Sequence, residues 1–408
     1  MSASFQQTPA EPAPAPSGLR LSRRFDDVGF SEIVRIRNRV MDLKAAGKSV
    51  LQFEGGEPFF ETPSHIKDAM QAALAQNKTR YAPSSGVAPL LDALVEKLRR
   101  KNRIAAQADD VVVAVGGMQG LYAAFNSILD PGDEVLLFSP YWTPTRDLIH
   151  MSGGTAVCVN TRRAVADGMR VTLAAALTPR TRAILLNTPQ NPTGMAFDRT
   201  HIEAIAEFAA AHDLVVIADE AYEDLVYEGE HVSIASLPGM YERTITAYTL
   251  SKSYGMTGWR VGYVVAPAPF SEGLKKSILY STNGVSTPTQ WAAVAALGTP
   301  ETFFKECLAE YRTRRDALVQ GLNALGLTVA PPPQGAFYAF PNVSSLGLKS
   351  SELALDLLDR AQVATIPGTA FGAEGEGHLR MSYSLPMETI ERGLDALAGY
   401  VRERRGNA

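Results

Sequence analysis

Beyond Asp110 short, almost unbroken apolar runs alternate with segments of helical periodicity, and no other feature of the sequence narrows its fold as much. The runs cover residues 111–115, 134–138, 155–159, 183–186, 214–218, 244–248 and 261–265, with a helical stretch at 118–129 after the first. Strands so continuously apolar predict coverage on both faces, hence a mainly parallel sheet flanked by helices in an α/β arrangement. Ahead of this region, Ile33, Val34, Ile36, Val40, Met41 and Leu43 recur at helical spacing within 31–47, where Gly47 supplies a stop. Residues 50–53 read as a short strand entering the loop Glu54-Gly55-Gly56-Glu57-Pro58, and 64–76 and 89–101 as helices. From Pro300 the pattern becomes a long helix to Leu325, strands around 336–340 and 379–384, and a last helix from Met387, an order that suits a separate α+β domain.

A chain of 408 residues, 46% hydrophobic and 20% charged, is long enough to bury a large core and to divide into domains. The expected division is an Ala/Pro-rich disordered tail (1–25), an N-terminal segment packing on the small domain (26–60), a large domain (61–298) and a small domain (299–408). A net charge of -4 with scattered Lys and Arg offers no basic stripe for a phosphate backbone, so a small ligand is expected rather than nucleic acid. The two cysteines, Cys158 and Cys307, lie far apart and form no metal or redox motif; apolar packing in a reducing, cytoplasmic compartment is expected for both. No metal site is expected. The first 20 residues carry four prolines and no apolar signal core, and no stretch of about 18 apolar residues occurs, so no membrane span is expected.

The sharpest chemical signal is Tyr248-Thr249-Leu250-Ser251-Lys252, which runs on through Ser253-Tyr254-Gly255-Met256-Thr257-Gly258-Trp259-Arg260-Val261-Gly262-Tyr263. On its own, a lysine after an apolar strand reads as a surface charge. In this setting the segment resembles the Schiff-base lysine motif of the fold type I pyridoxal-phosphate enzymes, specifically the class I/II aminotransferases of the aspartate aminotransferase superfamily. In that motif the lysine stands eight residues before an arginine in Gly-x-Arg-x-Gly-Tyr, as Lys252 and Arg260 do. The resemblance extends from about Ser31 to the C-terminus through several motifs in the expected order. It implies a large domain with a mainly parallel sheet of the seven-stranded type between helices, a smaller α+β domain, and pyridoxal 5'-phosphate as cofactor.

The resemblance also assigns roles. Lys252 would carry the cofactor and, once freed, move the substrate α-proton, work that suits an amine of lowered pKa. Asp219, at the end of the run Leu214-Val215-Val216-Ile217-Ala218, would keep the pyridine nitrogen protonated; read without the family, Asp219 or Glu220 is a helix-capping acid. Tyr222 and Asn191, the latter in Asn187-Thr188-Pro189-Gln190-Asn191-Pro192-Thr193-Gly194, would share the cofactor's phenolic oxygen, and both X-Pro bonds there are candidates for cis peptides. Arg260, Thr249, Gly117, Met118 and Gln119 would hold the phosphate at a strand-to-helix turn, and Trp142 would stack on the ring. Tyr81 would reach the phosphate of a neighbouring subunit, and residues 283–288 would enter that subunit's pocket, so a homodimer with shared active sites is implied.

For the substrate, Arg380 would grip an α-carboxylate as a bidentate fork, with Gly56 adding a backbone N–H and Asn191 and Trp142 facing the same ligand. Transamination between an α-amino acid and a 2-oxo acid, through a pyridoxamine phosphate form, is the expected reaction. Some acid-binding relatives carry a lysine after the Gly-Gly turn, whereas this chain has Met118, and 283–288 contains no arginine. A neutral aromatic or aliphatic side chain is therefore expected in preference to aspartate, with Arg35 or Arg37 left as sources of a cation for acidic or prephenate-like substrates. The alternatives are a lyase on the same cofactor, by C–S β-elimination or decarboxylation, and a non-catalytic regulatory module, for which the short tail leaves no room for a DNA-binding domain.

Overall fold

The computed structural model of the protein describes residues 20–26 and 28–406. The tail expected at 1–25 lies outside the described residues up to position 19; Arg23–Phe25 form one short helical turn.

Twelve strands occur among the described residues: β1 (Leu51–Gln52), β2 (Val111–Ala114), β3 (Glu134–Ser139), β4 (Thr155–Asn160), β5 (Thr181–Asn187), β6 (Val215–Asp219), β7 (Thr244–Thr249), β8 (Gly262–Val265), β9 (Tyr338–Ala339), β10 (Val363–Ala364), β11 (Ile366–Pro367) and β12 (Leu379–Ser382). Seven form the main sheet, in the order β2-β8-β7-β6-β5-β3-β4. β8 runs antiparallel to both of its neighbours, and the remaining pairs are parallel. Residues of β2, β3 and β6 are buried throughout, because helices cover both faces. One face is sealed by Leu121, Phe125, Ile149 and Leu274, the other by Leu173, Ile202, Ile205 and Phe208. Each such side chain, buried fully, contributes about 1.5–3 kcal/mol.

The cysteines correct one expectation. Cys158, on the edge strand β4, is exposed rather than packed in the core, and Cys307 is half-buried.

Residues after Pro300 build a three-stranded antiparallel sheet, β11-β12-β9, against the helices Glu301–Ala324, Ser350–Ala361 and Met387–Gly406. The helix Glu32–Ala45 buries Ile36, Val40 and Leu43 in the same cluster as Phe337, Leu353, Leu357 and Tyr400. β1 pairs in parallel with β10, and Arg39 binds Asp359 at 2.8 Å. The chain's beginning is thereby fastened to its end. The loop that follows β1 is delivered to the carboxyl edge of the main sheet, where ligands bind in open α/β sheets.

Candidate active site

The parallel strands end at one edge and set adjacent residues side by side. Asn187 at the end of β5 stands opposite Asp219 at the end of β6, and Thr249 at the end of β7 is in register with Gly262. β2 delivers Gly116 and Gly117 to the same edge, because two antiparallel pairings in succession, through β8, restore its direction. A cavity of about 360 Å³ opens there, bounded by Lys252, Asp219, Tyr222, Asn191, Thr249, Arg260, Gly117, Met118, Trp142, Gly56 and Arg380.

Lys252 lies in the helix Leu250–Ser253, which Thr249 caps by accepting from the Ser251 amide at 3.2 Å. Its Nζ donates to the Gly56 carbonyl at 2.6 Å. Burial, together with the charges of Arg380 and Arg260, lowers its pKa to about 8 against the pull of Glu57 and Asp219. A lowered pKa means that the free, nucleophilic amine prevails above about pH 8 instead of above 10.5. Reductive trapping of a small aldehyde on Lys252 in the cofactor-free protein is therefore expected to rise through about pH 8; a rise centred on 10.5 would contradict this.

Asp219 is pushed the other way, to about 6, chiefly by burial and further by Glu220, while the Ala221 amide at 3.2 Å and Lys252 oppose the shift. Glu220 is turned aside and meets His231 at 3.0 Å. Burial works to raise its pKa, but the imidazole beside it holds the carboxyl below its ordinary value. The two acids that sequence leaves interchangeable are thus distinct: only Asp219 faces the cavity.

At one end of the cavity the helix Gly116–Ile128 begins, with its first N–H groups lacking helical partners. The Arg260 guanidinium, Thr249 and Ser251 gather at that end. Arg260 takes a left-handed φ of 53° and donates from Nη1 to the Thr257 carbonyl at 2.8 Å. Gly116 has φ 74°, and a Cβ there would stand 2.4 Å from Arg260 Nη2. Only glycine lets the turn and the guanidinium approach so closely.

The other end is set by Arg380, Asn191, Tyr222 and Tyr338. Arg380 is buried; Nη1 donates to Asn191 Oδ1 at 3.1 Å and Nη2 to the Glu54 carbonyl at 2.8 Å, while Nε has no partner. Asn191 is oriented by Asn187, whose Oδ1 accepts its amide N–H at 3.0 Å and whose Nδ2 donates to the Asp219 carbonyl at 3.1 Å. Tyr222 and Tyr338 hydroxyls lie 3.0 Å apart, and burial drives the Tyr222 pKa well above its ordinary value.

Two expected residues are not brought into this cavity. Gln119 folds back, its Oε1 accepting from the Val115 amide at 2.6 Å and its Nε2 donating to Ser281 and Thr282, so its side chain lines an adjoining groove. Tyr81 is 92% exposed and outside the cavity lining. The two candidate X-Pro bonds, Thr188-Pro189 and Asn191-Pro192, are both cis. Sequence reasoning overlooked Tyr338 and assigned no role to Asn187 or Ser251; the latter two sat inside quoted motifs, whereas Tyr338 lay in a strand pattern without any chemical signal.

The donor set fits one kind of ligand: an anion at the helix start, a planar heterocycle with a basic nitrogen near Asp219, an aldehyde within reach of Lys252, and a carboxylate at Arg380, whose Nε has no partner. Pyridoxal phosphate bound with an amino acid meets all four. The profile of the family described as aminotransferase class I and II matches residues 48–397. The chain is 40% identical to the aspartate/prephenate aminotransferase of Thermus thermophilus over 93% of its own length and 98% of that protein. It is 36% identical to aromatic-amino-acid aminotransferase 2 of Thermococcus litoralis, over 95% and 100% of the two chains. Among solved structures, the Thermus thermophilus aspartate aminotransferase with maleate superposes with a TM-score of 0.89 at 38% identity, over 93% of this chain and 99% of that one.

Proposed function

The chain belongs to the aminotransferase class I and II family and is a pyridoxal-phosphate-dependent aminotransferase; from that premise we propose that Lys252 anchors the cofactor, that Arg380 receives the substrate α-carboxylate, and that the pocket accepts a neutral aromatic or aliphatic side chain more readily than aspartate. The observation that carries this reading is the convergence of the lowered-pKa Lys252 amine, the Asp219 carboxyl and the Arg380 guanidinium with its unpartnered Nε on one cavity. The side-chain preference is supported by Ile33, Met118, Leu121 and Trp142 in the lining.

Pyridoxal phosphate supplies an aldehyde that takes up the amino group and a ring that draws electrons from the substrate Cα. Arg260, Thr249, Ser251 and the backbone at Gly117 and Met118 would hold its phosphate, Trp142 its ring face, Asp219 its ring nitrogen, and Tyr222 with Asn191 its phenolic oxygen. Arg380 orients the substrate through its carboxylate, which presents the Cα–H to the Lys252 amine. Lys252 would then remove that proton as general base and return it as general acid, work that suits an amine whose pKa burial and the neighbouring arginines lower. Asp219 resists protonation once a cation faces it, because an opposite charge lowers the pKa that burial raises.

In this reading residues 61–298 hold the cofactor, 299–408 form the small domain, and 26–60 rest on the latter, as the packing of Ile36, Val40 and Leu43 supports. A homodimer belongs to the same reading: the 92% exposure of Tyr81 suits a side chain that serves a neighbouring copy's site. Among the described residues no helix is long and apolar enough to cross a membrane, and we take the cytoplasm as the place of action.

Gly116→Ala tests the phosphate cradle. The left-handed backbone costs a residue with Cβ about 1–2 kcal/mol, and the added methyl displaces Arg260. Cofactor affinity, titrated by absorbance, is expected to fall by roughly tenfold or more; unchanged affinity would remove Arg260 and the turn from the cradle. The reaction itself is tested by incubating holoenzyme with a nitrogen-labelled aromatic amino acid and a 2-oxo acid. The label is expected in the newly formed amino acid, and its appearance as ammonia would favour a lyase.

A further inference from the structure

Among the described residues four cations and two anions line the cavity: Arg37, Lys252, Arg260 and Arg380 against Glu57 and Asp219. In the proposed function three of the cations are engaged, Arg260 by phosphate, Lys252 by the cofactor aldehyde and Arg380 by the α-carboxylate. Asp219 is engaged by the ring nitrogen, and Glu57 accepts from the Thr257 hydroxyl at 3.0 Å on the side of Lys252. Arg37 alone has no assigned partner. Among the described residues it makes neither a hydrogen bond nor an ion pair, although its field reaches Tyr338 and Arg380.

Its position is fixed by helical phase. Ile33 and Arg37 are one turn apart in the helix Glu32–Ala45 and both face the cavity. Arg35, on the opposite side, lines a separate groove with Phe30, Asn38 and Asp42. Of the two arginines that the sequence offered, one reaches the site. Met118, 42% exposed, brings only a soft apolar contact to the same lining.

Amino transfer runs as two half-reactions in one pocket, so a single lining must suit both partners of the exchange. We propose that Arg37 is the specificity residue for a second, distal carboxylate: it admits a dicarboxylic amino acid or 2-oxo acid as one partner, while Ile33, Met118, Leu121 and Trp142 admit a neutral side chain as the other. A guanidinium suits this task because it meets a carboxylate through two parallel N–H bonds. Because Arg37 is exposed and unbonded within the protein, a neutral partner leaves it in water, where an uncompensated charge costs little.

This inference rests on the aminotransferase reading and is tested separately from it. Succinate, which carries two carboxylates and no amine, is titrated calorimetrically into wild-type holoenzyme, R37M and R37K; half-reactions with glutamate, aspartate, phenylalanine and leucine are followed in parallel. R37M is expected to weaken succinate binding and kcat/KM for glutamate by roughly 10- to 100-fold, to hold phenylalanine within about threefold, and R37K to recover part of the loss. Equal losses for both substrate classes, no loss for either, or a wild-type enzyme that takes phenylalanine but refuses glutamate and aspartate would each overturn the proposal. Wild-type holoenzyme that reacts with no amino acid would overturn the aminotransferase reading, and the proposal with it.

Discussion

Lys252→Ala is expected to lower the rate of amino transfer by at least about 10⁴-fold. In the proposed function the substitution removes both the amine that anchors the cofactor and the base that moves the substrate α-proton, and among the described residues no other lysine lines the cavity. The lowered pKa of about 8 depends on burial and on Arg380 and Arg260 beside it, a setting that no surface lysine reproduces. Borohydride reduction of the wild-type holoenzyme should fix the cofactor to the chain, and the variant should yield none. An unchanged covalent yield in Lys252→Ala would place the anchor elsewhere.

Asp219→Asn is expected to cost about 10²–10³-fold in kcat, with the cofactor still covalently held. The amide keeps the size of the side chain and the contact with the Ala221 amide, but supplies no charge opposite a protonated ring nitrogen. The pH dependence separates this role from a structural one. In the cofactor-free protein the carboxyl has a pKa of about 6, so it is neutral below that pH and charged above it. Cofactor affinity in the wild type should therefore decline as pH falls through 6, and the asparagine variant should lack that decline. A loss of less than about tenfold in kcat, or an unaltered pH profile, would contradict the charge-pairing role.

Much of this site could be read from sequence because its residues sit at the ends of strands whose apolar runs are long and buried on both faces. Asn187, Asp219 and Thr249 each close such a run, and the loops after them contain the glycines, prolines and hydroxyls that a ligand-binding edge requires. Features that depend on which elements become neighbours were harder to see. The run at 261–265 looks the same in either direction, so the antiparallel course of β8 was not visible. The place of β4 at the edge of the sheet, where Cys158 is exposed, is decided by pairing order and not by local composition. Tyr338 reaches Tyr222 across 116 positions, and neither tyrosine announces the other. Gln119 was drawn away from the cavity by the amide of Val115, four residues earlier, a local bond that competes with any ligand. Helical phase could have separated Arg37 from Arg35 in advance, had the cavity-facing side of their helix been known.

The central claim, that these residues make an enzyme of amino transfer, is tested most directly by adding single amino acids to the holoenzyme without any 2-oxo acid and following cofactor absorbance. A stoichiometric conversion to the amine form of the cofactor, reversed by a 2-oxo acid, is the expected result. Release of ammonia and pyruvate from a cysteine-type substrate, without accumulation of the amine form with any amino acid, would contradict it.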